Sequence, residues 1–171
     1  QGVLRVDDEI EIRPGIRIES SGKSTYEPMQ TTAMSLRAGG MSVREARSGG
    51  LVAIGTDLDP ALTRSDSLVG NVVGRPGALP DVVENITLET HLFERVVGTE
   101  GMARVDKIKT KEALVLNVTT TVTSGVVTSA RDSLVDISLR KPVCPIPGFK
   151  IAVSRRIGDS WRLIGFGALK G

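Results

Sequence analysis

The sequence predicts an all-β protein built from two small antiparallel β-barrels. Apolar stretches recur about every ten residues and are separated by Gly, Pro, Asp and Ser, which is the spacing of short strands joined by turns. Aromatic residues make up only 3% of the 171 residues, so aliphatic side chains must supply the cores. A chain of this length is suited to two domains of roughly 80 to 90 residues, each of which can bury a workable core.

A segment rich in proline and glycine at mid-chain predicts the boundary between the two barrels. Residues 74–80 contain two prolines and two glycines. We therefore assign residues 1–80 to the first barrel and residues 81–171 to the second.

In the first barrel, Pro14-Gly15 is predicted to form a tight turn between two strands at residues 9–13 and 16–19. An Asp followed by a Pro within residues 57–63 predicts a short helical turn. The remaining apolar stretches predict strands at residues 29–37, 51–55 and 68–73.

In the second barrel, apolar stretches predict six strands, and Gly158-Asp159 is predicted to be the turn of the last hairpin. Trp161 is predicted to anchor the core, with its indole N–H satisfied by one acceptor. The six strands are expected at residues 85–92, 112–119, 125–130, 134–139, 149–157 and 161–168.

Charge and cysteine content exclude several classes of function. The formal net charge is +2, from 22 basic and 20 acidic residues, so no global field would attract nucleic acid indiscriminately. The single cysteine, Cys144, cannot form an intrachain disulfide and is interpreted as a buried thiol in a reducing cytoplasm. No apolar run approaches the roughly 18 residues that span a bilayer, so we expect a cytoplasmic protein with no membrane partner.

No catalytic or metal centre is predicted. His91 is the only histidine and is interpreted as a half-exposed strand residue, because it lies within the alternating segment at residues 86–93. The sequence cannot supply the partner geometry that catalysis would require. Asp57 and Asp59 lack the spacing of a calcium loop. Two basic clusters allow two interpretations, solvated strand faces or phosphate contacts, and they comprise Lys107, Lys109 and Lys111, and Arg155 with Arg156.

The string Ser21-Gly22-Lys23-Ser24-Thr25 resembles the end of a phosphate-binding P-loop. That motif needs a glycine five residues before Gly22, where Arg17 stands, and a helix after it. A polar hairpin tip is therefore favoured, and a phosphate-binding enzyme that uses Lys23 is the alternative.

Residues 49–70 (GGLVAIGTDLDPALTRSDSLVG) resemble the corresponding signature of the gamma subunit of translation initiation factor 2. Further matches cover nearly the whole chain, and the short spacing in residues 101–111 is similar to that of archaeal members. These matches are residues 6–15 (VDDEIEIRPG), 92–98 (LFERVVG), 154–156 (SRR) and 161–167 (WRLIGFG). A second candidate family is another translational GTPase, such as the selenocysteine elongation factor, although Leu58-Asp59-Pro60 argues against it.

The resemblance implies two barrels similar to the second and third domains of elongation factor Tu, preceded in the family by a GTP-binding domain that is not in this sequence. The first barrel is expected to be truncated at its N-terminal side and to carry an exposed edge. The family delivers initiator methionyl-tRNA to the small ribosomal subunit as the core of a heterotrimer with alpha and beta subunits. GTP and magnesium belong to the GTP-binding domain, as does the beta subunit, so we expect neither cofactor nor nucleotide hydrolysis in this fragment.

The resemblance also implies two binding sites on the first barrel. A Gly-flanked strand and its neighbour are expected to bind the methionylated tRNA end, through Ser35, Arg37, Gly50, Leu51, Val52, Ala53, Ile54 and Gly55. The alternative is a core strand that contacts no ligand. The loop that follows is expected to bind the alpha subunit through Asp57, Asp59, Arg64 and Asp66, with Asp59 favoured.

Overall fold

The structure, a computed structural model, describes residues 2–20, 22–97 and 104–170, apart from the side chain of Lys23. It divides into two compact units, Gln1–Leu79 and Pro80–Gly171. Fourteen strands and one 3-10 helix are present, and the described residues contain no α-helix. The predicted all-β class is confirmed. No helix in the described part of the chain is long and apolar enough to cross a membrane.

The first unit consists of three small antiparallel sheets. One sheet pairs β1 (Val3–Arg5) with β6 (Glu45–Arg47). The second has the order β3-β2-β8, formed by Lys23–Thr32, Glu9–Ser20 and Val72–Gly74. The third has the order β5-β4-β7, formed by Met41–Val43, Ser35–Ala38 and Val52–Gly55.

Strand β2 continues through Pro14 and Gly15, so the predicted tight turn is wrong. The register passes from Ile12 paired with Met29 to Ile16 paired with Glu27, which leaves a bulge around Pro14. A proline has no N–H to give to a neighbouring strand, so inside a central strand it is confined to such a bulge. Pro14 is fully buried there.

Two other predicted strands of the first unit also differ from the structure. The stretch predicted at residues 29–37 is divided, since β3 ends at Thr32 and β4 begins at Ser35. Residues 68–70 lie in a turn rather than a strand, because Asn71 N–H bonds to the carbonyl of Leu68 at 3.1 Å, and β8 begins only at Val72. The predicted helical turn is confirmed as the 3-10 helix Pro60–Thr63.

The second unit is a closed six-stranded antiparallel barrel. All six predicted strands are present, and each overlaps its predicted span. They are β9 (Val83–Leu92), β10 (Ala113–Val118), β11 (Thr121–Arg131), β12 (Leu134–Val143), β13 (Lys150–Ile157) and β14 (Ser160–Lys170). Closure follows the order β10-β11-β12-β9-β14-β13, with β13 pairing back to β10.

Alternation of apolar and polar residues explains the barrel core. In β10, for example, Leu114, Leu116 and Val118 are buried while the residues between them are more accessible. The buried cluster is aliphatic throughout and draws on every strand of the barrel. Cys144 is buried as expected, and its thiol donates to the Pro80 carbonyl at 3.1 Å.

The last hairpin turns at Gly158-Asp159 as predicted, but Trp161 is not a core anchor. It is 47% exposed. Trp161 pairs with Arg156 one step from the tip of the hairpin, and it does not belong to the buried core cluster of the barrel. His91 is exposed on β9 and stacks on Phe166, with ring centroids 5.1 Å apart.

Candidate functional site

The residues predicted to bind a tRNA end lie mostly on two paired strands of the first unit. In the β4–β7 pair, Ser35 lies opposite Gly55 and Arg37 opposite Ala53. Ser35, Arg37 and Ala53 are exposed and Gly55 is half-buried. Because residues directly opposite in an antiparallel pair share a face, these four form one open face, which we call the β4–β7 face.

Val52 and Ile54 point to the other side of the same strand. They line a cavity of about 390 Å³ within the first unit, together with Ile10 and Val73. Both are only half-buried. For these two residues the geometry agrees with the alternative interpretation of a core strand, since strand side chains alternate between faces.

Gly50 and Leu51 precede β7 rather than belonging to it. Leu51 is 91% exposed, so its side chain contributes nothing to the core of this unit. Arg37 donates to the Gly40 carbonyl at 3.4 Å from one guanidinium nitrogen. This contact is long and exposed, so the guanidinium keeps most of its donors for a ligand.

The loop after β7 is fixed to strand β3 through Asp57. Oδ1 of Asp57 accepts hydrogen bonds from the hydroxyl of Thr31 and from the N–H of Thr32, the latter at 3.3 Å. The Thr31 hydroxyl, then the Thr32 N–H, lower the pKa of Asp57 below its ordinary value because both stabilise the charged form. Asp57 thus positions the loop and stays ionised near neutral pH.

Asp59 has an architectural role as well. Its side chain caps the 3-10 helix, because Oδ1 accepts from the N–H of Ala61 at 2.8 Å. Its carbonyl accepts from the N–H of Leu62 at 2.9 Å. The residue remains exposed, so one carboxylate oxygen still faces solvent.

Arg64 and Asp66 differ from the two preceding aspartates. Both are exposed, and in the part of the chain that the structure describes neither side chain has an ionic or hydrogen-bonding partner. Their backbone is nevertheless ordered by turns, since Ser67 N–H bonds to the carbonyl of Arg64 at 3.1 Å and Val69 N–H to that of Asp66 at 3.0 Å. Of the four predicted residues, these two present charges that the loop itself does not use.

The string that resembles a P-loop lies at the tip of the β2–β3 hairpin. Ser21 and the side chain of Lys23 fall outside the described residues. The chain continues from Lys23 as strand β3 up to Thr32, so the helix that a P-loop requires is replaced by a strand. No group of three or more His, Cys, Asp and Glu residues is arranged to hold a metal ion within the described ranges.

Comparison with known proteins decides the family. The family model described as "Initiation factor eIF2 gamma, C terminal" matches residues 84–169, which is half of the chain. The chain belongs to this eIF2 gamma family. The match favours the initiation factor over the selenocysteine factor considered above.

Relatives extend the similarity over both units. Translation initiation factor 2 subunit gamma of Pyrococcus horikoshii is 55% identical over 170 residues, covering 99% of this chain and 41% of the relative. The protein of the same name from Archaeoglobus fulgidus is 53% identical, with 99% and 39% covered, and that from Methanocaldococcus jannaschii is 48% identical, with 100% and 42% covered. The chain therefore spans about two fifths of the length of the curated relatives it matches.

Sequence reasoning missed the residues that support the loop. Thr31 and Thr32 hold Asp57 from a strand 25 residues or more away in sequence. Their only signal is a pair of polar residues at the end of an alternating strand, which is too common to identify a loop anchor. Residues 98 and 101–103 of the quoted matches lie outside the described ranges.

Proposed function

We propose that this chain serves translation initiation as the β-barrel part of an initiation factor 2 gamma subunit. In this role it binds the methionylated acceptor end of initiator tRNA and the alpha subunit. Membership of the eIF2 gamma family supports the general role, and relatives named as gamma subunits cover both units. The observation that carries the finer assignment is the open β4–β7 face, with Arg37 opposite Ala53.

The β4–β7 face has the chemistry that an aminoacylated RNA end requires. The Arg37 guanidinium offers several N–H donors to a phosphate or to a ribose hydroxyl. Ala53, across the strand pair, is small and exposed, so a terminal adenosine and its ester can approach the backbone there, while the Ser35 hydroxyl fills the space beside Gly55. The exposed Leu51 offers apolar contact to a thioether side chain.

The loop at residues 57–66 suits a protein partner because it is already ordered. Asp57 and Asp59 fix its backbone from within, so little conformational entropy would be lost on docking. Arg64 and Asp66 then present charges of both signs to a partner. We assign this loop to the alpha subunit, with the free oxygen of Asp59 as a third contact.

The parent protein is proposed to act as a GTP-dependent carrier in the cytoplasm, bringing initiator tRNA to the small ribosomal subunit. GTP, magnesium and the beta subunit would be bound by its GTP-binding domain rather than by these two units. Lys23 begins a strand and not a phosphate-binding helix, so we assign no nucleotide chemistry to this chain.

Protection of the methionyl ester tests the RNA-end assignment. The rate of spontaneous hydrolysis of methionyl initiator tRNA is measured as the chain is added. Binding on the β4–β7 face excludes water from the ester and slows hydrolysis. Arg37→Ala should weaken this protection roughly tenfold, as expected for loss of a charged hydrogen bond.

Arg17→Ala is the matched control, because Arg17 is an exposed arginine of the same unit on another sheet. It should protect the ester as the unmodified chain does. A hydrolysis rate that stays constant up to the highest chain concentration that remains monomeric would refute the assignment, as would equal effects of the two variants.

A further inference from the structure

The second unit carries a cluster of lysines that the proposed function does not use. Lys107, Lys109 and Lys111 lie in the segment before β10 and are all exposed. With the side chains of Thr110 and Arg155 they border a recess of about 410 Å³. We call this segment, residues 105–111, the lysine loop.

The lysine loop is held firmly on the barrel by its backbone. Val105 N–H bonds to the carbonyl of Glu94 at 3.2 Å, and Lys111 N–H to that of Val127 at 2.7 Å. Between these ends Ile108 is 8% exposed and belongs to the barrel core. The residues on either side of it, Lys107 and Lys109, are exposed.

Arg155 holds the loop in place through hydrogen bonds, so its charge is not available to a ligand. Its guanidinium pairs with both carboxylate oxygens of Glu112, one of them at 3.1 Å. The same group donates to the carbonyls of Asp106 at 2.9 Å and Lys107 at 3.2 Å. Glu112 also accepts from the N–H of Lys109 at 2.9 Å. Since Arg155 and Glu112 neutralise each other, Glu112 does not cancel the charge of the lysines.

The ammonium groups themselves are largely unpaired. Lys107 lies 3.7 Å from Asp132, but both side chains are almost fully exposed, so the contact is weak. The side chains of Lys109 and Lys111 have no partner in the part of the chain that the structure describes. The lysine loop therefore presents three exposed cations, of which only Lys107 has a weak ionic contact, beside the exposed carboxylate of Asp106.

From this arrangement we infer that the lysine loop is a second binding site of the chain, and that its ligand is the phosphodiester backbone of RNA. Each residue that borders the recess carries a charged or polar group at its end: Asp106, Lys107, Lys109, Thr110, Lys111, Glu112 and Arg155. Lysine is depleted in protein–protein interfaces, whereas the cations that bind a phosphate backbone are lysine and arginine. Contacts to phosphate carry no sequence information, so such binding should be independent of sequence.

The direct test is fluorescence anisotropy with a labelled oligouridine at several salt concentrations. The triple variant Lys107→Ala, Lys109→Ala, Lys111→Ala should bind at least about fivefold more weakly at low salt. The slope of log K against log salt should become less steep by about two, since each phosphate contact on single-stranded RNA contributes about 0.7 to its magnitude.

A charge-matched control separates this site from the net charge of the chain. Arg140→Ala, Arg156→Ala, Lys170→Ala removes three exposed cations from other parts of the same unit, and it should keep most of the affinity and the slope. Equal losses in the two triple variants, or no loss in the lysine-loop variant, would overturn the inference. Equally tight binding of polyglutamate would overturn the assignment to RNA and favour an acidic protein.

The test of the lysine loop can fail or succeed separately from the test of the β4–β7 face. The lysine-loop variant should still protect the methionyl ester as the unmodified chain does. Circular dichroism and thermal unfolding confirm that each variant is folded before binding is measured.

Discussion

The backbone N–H of Gly77 donates a 2.9 Å hydrogen bond to Oε2 of the buried Glu11. The other carboxylate oxygen of Glu11 pairs with Arg13 at 2.9 Å, and Arg13 in turn donates to the Leu79 carbonyl at 3.3 Å. The segment at residues 74–80, predicted as a linker because of its prolines and glycines, is therefore fastened to strand β2 of the first unit.

The stability of the first unit should depend on pH through Glu11. The Gly77 N–H, followed by Arg13, lowers the pKa of Glu11 below its ordinary 4.5, against the opposing effect of burial. A carboxyl with a depressed pKa in the folded state stabilises the fold above its unfolded pKa, and this stability is lost as pH falls through the folded value. Glu11→Gln should cost about 1 to 3 kcal/mol at neutral pH and progressively less in acid.

Urea unfolding at neutral and acidic pH measures this effect. Glu27→Gln, a change at an exposed position on the neighbouring strand, should alter stability little at either pH. If Glu11→Gln loses as much stability in acid as at neutral pH, the ionised carboxylate is not what holds the segment.

Gly15 should tolerate no side chain. Its φ is +93°, and a Cβ placed there would lie 1.7 Å from the carbonyl oxygen of Glu27. Since that obstacle is backbone, Gly15→Ala should destabilise the first unit by more than about 3 kcal/mol. Gly22→Ala has a similar φ of +78° with open space around it and should cost only about 1 kcal/mol. Comparable losses of stability in the two variants would show that the positive φ, rather than the clash with the Glu27 carbonyl, causes the destabilisation.

The second unit was more predictable from sequence than the first. Its strands alternate buried and exposed residues because one sheet closes around one core, and that periodicity is visible in residues such as Leu114 and Leu116. The first unit is made of short strands in three sheets, many only three or four residues long. Alternation over such lengths cannot fix where a strand ends.

Errors arose where a local rule competed with long-range structure. Pro14-Gly15 has the composition of a turn, yet pairing of β2 with both β3 and β8 keeps the chain extended. Trp161 has the composition of a core residue, yet its place near a hairpin tip leaves it exposed. The role of Thr31 depends on where Asp57 lies in space, and the alternation of residues along a strand does not predict that position.

The barrel core should respond to cavity formation as a close-packed interior does. Leu116 is fully buried in β10, so Leu116→Ala should cost about 2 to 5 kcal/mol. Val122→Ala, on the neighbouring strand at 63% exposure, should change stability by less than about 0.5 kcal/mol. Denaturant unfolding of both variants provides the comparison, and similar losses would mean that Leu116 is not part of a tightly packed core.

The ionisation of Asp57 should depend on Thr31. Thr31→Val keeps the shape of the side chain but removes the hydroxyl that donates to Asp57, so the pKa of Asp57 should rise toward its ordinary value. Titration of the carboxyl carbon by NMR measures it. Thr25→Val, an exposed position on the same strand, should leave this pKa unchanged. An unaltered titration in Thr31→Val would mean that the loop is anchored by another contact.

Calorimetric titration of the chain with an initiation factor 2 alpha subunit tests the central claim most directly. We predict saturable one-to-one binding. The double variant Asp59→Asn, Asp66→Asn should weaken it roughly tenfold or more, because asparagine keeps the cap and the turn but removes both charges. Asp132→Asn is matched to Asp66 in its positive φ and its exposure, and lies in the other unit, so it should bind normally. Folded chain that gives neither heat nor complex with the alpha subunit would contradict the account.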